Sequence, residues 1–181
     1  MSSIRRPSLL WLSLLGLLLV GLGACAAEEL DPMSLVGAPA ADLRGEDLTG
    51  AGVTDLAALA GKPTAVVFWL NTCPHCQEAM PQIQEGWADL ESDYNILTVG
   101  VTNLDMAGTP GFEDAEAFTT STGLTLPTIE YTWEQAQAEW SLAGVPTVFI
   151  LNGEQQIEDV LIGGEDLVSR MQLSLESVGR G

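Results

Sequence analysis

The sequence predicts an α/β fold in which helices flank a central mixed β-sheet. Three observations carry this reading. An apolar run over 64–70, Ala65-Val66-Val67-Phe68-Trp69-Leu70, is rich in β-formers. After a short polar turn it gives way to a helical pattern with Ala79, Met80, Ile83, Trp87 and Leu90 at spacings of three and four. A second buried-strand pattern, with Ile96, Leu97, Val99 and Val101, follows over 95–102, so strand, helix and strand form a crossover unit with the two strands parallel. Finally, an apolar stretch over 148–151 and another over 156–162 flank Asn152-Gly153, a hairpin signal that adds antiparallel strands.

Taken in order, the elements begin with a segment outside the fold. Arg5 and Arg6 precede a Leu-rich run from Leu9 to Leu22. That run is short of the roughly 20 residues a membrane span needs, so residues 1–24 read as a signal peptide. Residues 26–34 are polar and acidic and read as a tether; nine residues reach at most about 30 Å. A single domain is expected over 35–181. It opens with a hairpin punctuated by Gly45, Gly50 and Gly52, then a helical turn over 56–59 closed by Gly61. The helix after the central strand is expected from 74 to about 92, with Pro81 inside it. Gly108-Thr109-Pro110-Gly111 is loop. A helix over 113–122 is expected to turn Ala115, Ala117 and Phe118 inward. Residues 124–129 form a short apolar segment, and 133–140 a short helix whose tryptophans, Trp133 and Trp140, are packing residues. An amphipathic helix over 165–178 closes the domain with Leu167, Val168, Met171 and Leu175 inward.

The chemistry concentrates where the central strand passes into its helix. Cys73 and Cys76 stand three apart at that helix N-terminus, where unpaired N–H groups and the helix dipole favour a thiolate. Cys73 comes first and is expected to be the exposed attacking thiol. Cys76, one turn on and facing inward, is expected to resolve the mixed disulfide. Pro74 suits the first helical position, where no N–H is needed. His75 can be cationic near neutral pH. A closed zinc site needs four ligands, and beyond this pair the chain has one further cysteine, Cys25, and one histidine, His75. A redox dithiol with no metal and no cofactor is therefore expected.

The constellation resembles the thioredoxin superfamily, and more narrowly the extracytoplasmic TlpA/ResA-type thiol-disulfide oxidoreductases. The resemblance runs from about Val36 to Val178. It rests on Gly37-Ala38-Pro39-Ala40-Ala41-Asp42-Leu43, Gly61-Lys62-Pro63, Val67-Phe68-Trp69, Cys73-Pro74-His75-Cys76, Met80-Pro81 and Gly144-Val145-Pro146-Thr147-Val148-Phe149-Ile150 in that order. The Cys-Pro-His-Cys tetrapeptide also resembles that of DsbA-like oxidases. The resemblance implies a thioredoxin-like fold with an N-terminal hairpin and a short insertion. It implies a cis bond before Pro146, with the Val145 backbone offered to an extended substrate peptide. It also implies that the partners are protein thiols and disulfides. Leu22-Gly23-Ala24-Cys25 resembles a lipobox, which implies a lipidated Cys25 and a membrane-anchored protein outside the cytoplasm. Lipid on Cys25 would leave an even pair of cysteines for redox work.

Three departures from the family bear on direction. Val67 replaces a carboxylate frequent in thioredoxins, Ala79 replaces a glutamate of ResA-like reductases, and Thr72 replaces a common tryptophan. The first two remove anionic neighbours of the thiols, which points to a more oxidising couple. Two other chemistries share this fold. Peroxiredoxins want threonine three before the reactive cysteine, where this chain has Leu70. Copper-delivery relatives space their cysteines differently and add a distant histidine, which this chain lacks.

Composition narrows the partners. The chain is 46% hydrophobic, enough for a normal core, and its net charge is −19. Loss of Arg5 and Arg6 with the signal peptide takes that to −21 and leaves only Arg44, Lys62, Arg170 and Arg180 as Lys or Arg. This excludes nucleic acid, which needs basic patches, and electrostatic docking on anionic lipid.

Overall fold

The computed structural model describes residues 30–102 and 115–180. The expected signal peptide, Cys25, the 108–111 loop and the first two residues of the expected 113–122 helix lie outside them. The strands are β1 (Arg44–Glu46), β2 (Val53–Asp55), β3 (Thr64–Trp69), β4 (Asn95–Thr102), β5 (Thr128–Thr132), β6 (Thr147–Leu151) and β7 (Ile157–Ile162). The helices are α1 (Pro74–Trp87), α2 (Ala115–Thr122), α3 (Trp133–Trp140) and α4 (Leu167–Gly179).

Five strands form the central sheet in the order β5-β4-β3-β6-β7, and β1 pairs with β2 as a separate hairpin. β3, β4 and β5 run parallel, and β6 and β7 join antiparallel, so the sheet is mixed as expected. β3 sits at its centre with all six residues buried. Burial on both faces is why its sequence is apolar without alternation. Ala65, Val67 and Trp69 face one core with Met80 and Ile83 of α1 and Met171 and Leu175 of α4. Val66 and Phe68 face the other with Leu97, Val99 and Trp140. In that second core Phe68, Trp140 and Phe149 form a three-ring cluster with centroids 4.9–5.6 Å apart, within the range aromatic pairs favour. Trp140 is thus a packing residue, and Trp133 is partly buried beside it.

Several details differ from expectation. α1 stops at Trp87, and the chain turns back through Leu90 N–H to Trp87 O at 2.8 Å, which redirects it into β4 while Leu90 stays buried. Residues 128–132 form β5, a strand absent from the sequence reading. In α2, Ala117 is exposed and Thr119 is buried instead. Thr119 lies four residues after Ala115, on its side of the helix, and Ala117 does not. Pro32–Leu35, within the expected tether, forms a 3-10 turn capped by the Asp31 side chain. The connection at Asn152 is longer than a two-residue turn: the Asn152 side chain accepts the N–H groups of Glu154 and Gln156, and Gln155 adopts φ +62°.

Candidate active site

β3 delivers the chain to the site. A turn closed by Cys73 N–H to Leu70 O at 3.1 Å follows it, and Gln77 Nε2 donates to Asn71 O at 2.6 Å from the first turn of α1. Cys73 is the N-cap of α1 and Pro74 its first residue. The cap acceptor is the sulfur itself: Cys76 N–H points at Cys73 Sγ at 3.3 Å. Cys73 also lies 3.7 Å from the Val145 carbonyl oxygen, to which its thiol donates. Thus a residue 72 positions away closes one side of the site.

Cys73 is partly exposed and Cys76 is buried. Burial pushes the Cys76 thiol up, and hydrogen bonding to Cys73 and its charge push the same way, while the Leu70 backbone opposes them. The two sulfurs therefore occupy different environments, one at the surface and one inside. Pro74 and His75 are both exposed on the first turn. His75 is thus placed at the helix N-terminus with its side chain exposed. Val67 is fully buried and Ala79 is packed against the same core.

The Val145–Pro146 bond is cis, as the resemblance implied. The turn that presents it is tied by Thr147 Oγ1 to Gly144 O at 2.8 Å. On its far side Gly163 N–H donates to Pro146 O at 2.8 Å, and Arg170 reaches over from α4 to donate to Gly163 O at 2.8 Å. The sequence reading brought Cys73, Pro74, His75, Cys76, Val145 and Pro146 together, and the structure places them together. It did not single out Gly163 or Arg170. The only local signal was the Gly163-Gly164 pair, a turn marker.

The AhpC/TSA family model matches residues 36–160, more than two thirds of the chain. Sporulation thiol-disulfide oxidoreductase A of Bacillus subtilis is 28% identical over 160 residues, covering 88% of this chain and 90% of that protein. The crystal structure of StoA from Bacillus subtilis superposes with a TM-score of 0.61 at 22% identity, covering 76% of this chain and 98% of that one. A thiol:disulfide interchange protein of the thioredoxin family from Chlorobium tepidum does so with a TM-score of 0.60 at 20% identity, covering 76% and 95%. The dithiol at a helix start, the cis peptide beside it and a family match that spans both place this chain in the AhpC/TSA family of the thioredoxin superfamily.

Proposed function

We propose that this thiol-disulfide oxidoreductase works through Cys73 and Cys76, exchanging disulfides with protein cysteines outside the cytoplasm while lipid on Cys25 tethers it to a membrane. The observation that carries the reading is the unequal placement of the sulfurs. Cys73 caps a helix at the surface, beside the Val145 carbonyl, and Cys76 is buried one turn on.

The Cys73 thiolate attacks one sulfur of a client disulfide; that bond breaks, and one client sulfur leaves as thiolate and takes a proton. Cys76 gives up its proton and attacks Cys73 Sγ, which releases the second client thiol and leaves the Cys73–Cys76 disulfide. Two electrons pass to the client, and the reverse sequence oxidises a client dithiol. Because burial raises the Cys76 thiol, Cys73 is the sulfur suited to begin.

Cys76→Ala is expected to trap mixed disulfides with client proteins, and Cys73→Ala is not; equal trapping by both variants overturns the assignment. Val67 is buried and Ala79 half-buried, so neither supplies the carboxylate that the resemblance to thioredoxins and ResA-like reductases implies at these two positions. The couple is therefore expected to be more oxidising than thioredoxin at about −270 mV. Equilibration with glutathione measures this, and a value at or below that figure removes the oxidising reading. Because the fold also hosts peroxiredoxins, hydrogen peroxide consumption by the reduced protein is the check on the second reading. Leu70, in place of their threonine, supports the expectation of none.

A further inference from the structure

We propose that Arg170 is a positioning residue that sets how tightly a client polypeptide is held beside Cys73. The inference rests on the proposed reading that clients lie against Val145 and exchange with Cys73. Electrostatics disfavours where Arg170 stands. Arg170 is the fourth residue of α4, near the positive end of the helix dipole, where a cation loses stability. The chain after Arg6 has only four Lys or Arg residues, so one spent at the wrong helix end calls for a reason.

Helical side chains lean toward the N-terminus of their helix. The half-buried Arg170 follows that direction into the β7–α4 loop, where its Nη1 donates to Gly163 O at 2.8 Å. This loop holds left-handed or near-left-handed backbone at Gly163 (φ +30°), Gly164 (φ +88°) and Asp166 (φ +58°). Asp166 is not a glycine, so its conformation costs free energy and needs neighbours to hold it. The Asp166 side chain makes no capping bond to α4. A Cβ built on Gly164 would lie 3.7 Å from Arg170 Nη1, so the guanidinium lies over the loop as well as at its carbonyl.

The loop in turn holds the site. Gly163 N–H donates to Pro146 O at 2.8 Å, and the adjoining Val145 carbonyl lies 3.7 Å from Cys73 Sγ. Arg170, Gly163, Pro146 and Val145 thus form one line of contacts from a rigid helix to the peptide beside the attacking sulfur. Without the guanidinium, the Gly163 carbonyl loses a charged donor and the strained loop loses its clamp. The Val145–Pro146 edge then becomes free to shift against a bound client, while α1 still caps Cys73 through its own backbone.

The test uses the full-length protein with insulin as the disulfide probe and dithiothreitol as reductant. Arg170→Met is expected to raise KM for insulin about tenfold, a loss of about 1.4 kcal/mol, with kcat within twofold of wild type. Arg170→Lys keeps the charge and a donor but not the planar fork, and is expected to fall between the two. It also carries the test should Arg170→Met fail to fold. A loop role without consequence for the client would lower the melting temperature and leave KM unchanged. An unchanged KM in both variants, or a fall in kcat at constant KM, overturns the inference. Wild-type protein that neither reduces insulin nor oxidises a reduced client dithiol faster than Cys73→Ala overturns the proposed function instead.

Discussion

Cys76 shows what burial does to a thiol whose partner stays at the surface. Its sulfur lies in the core built by α1, β3 and α4, and desolvation raises it well above its ordinary value of 9.0. The unfolded chain therefore loses this proton first as pH rises. Above about pH 9 the folded state binds more protons than the unfolded one, so stability falls with pH until the folded thiol itself ionises. The reduced protein is thus expected to lose up to about 1.4 kcal/mol per pH unit above pH 9. Melting temperatures between pH 8 and 11 should show a steeper decline for wild type than for Cys76→Ala, and parallel curves would contradict this. This residue, with Cys73 and Pro74, was legible from spacing alone. Asp47 was not. Burial works against its carboxylate, but hydrogen bonds from Thr49, Thr128 and Thr54 outweigh it and hold the group below its usual range. Thr128 donates to Asp47 across 81 positions, a partner that no local pattern announces.

At the scale of elements, the sequence revealed most where one face is buried over several turns. The spacing of Met80, Ile83 and Trp87 located α1, and that of Leu167, Met171 and Leu175 located α4. Short elements were harder. β5 has five residues, of which only Thr128 and Ile129 are buried, and its last residue already caps α3 through a capping box with Gln135. Strand and helix signals therefore overlap within a few positions. The fit of α2 on β4 was equally invisible, although Gly100 hints at it, because a glycine inside a strand often marks close approach. A Cβ at Gly100 would stand 2.5 Å from Ala115 Cβ and 3.3 Å from the Trp69 ring. Neither neighbour can yield easily, since Trp69 is fully buried and packs tilted against Phe118 with ring centroids 4.9 Å apart. Gly100→Ala is expected to cost about 1–3 kcal/mol by overpacking, measured as a lowered urea midpoint at unchanged slope. An unaltered midpoint would mean that α2 moves aside freely.

At the scale of the whole molecule, the same segments that protect the sheet decide where the chain enters it. β5 and β7 are the sheet's edges, and an open edge invites pairing with other chains. The hairpin covers the start of β5 through Leu48 N–H to Thr128 O at 2.8 Å. On β7, Gly37 N–H donates to Ile157 O at 2.7 Å and Ile157 N–H to Ala38 O at 2.9 Å, while further along Val160 N–H is held by the Asp159 side chain. The N-terminal segment therefore joins β7 at Ile157, and the dithiol lies at its other end, where Ile162 pairs with Thr147 beside Pro146. Five residue steps along a strand span about 17 Å. Among the described residues, the N-terminal segment and the two cysteines thus meet the domain at opposite ends of β7. From this separation, Cys25→Ser is expected to move the protein from the membrane fraction to the soluble one while kcat and KM for insulin stay within twofold of wild type. Retention of the variant in the membrane fraction, or an unlipidated mature N-terminus by mass spectrometry in wild type, would refute the anchor. Release accompanied by a fall in activity would refute the independence of the two ends.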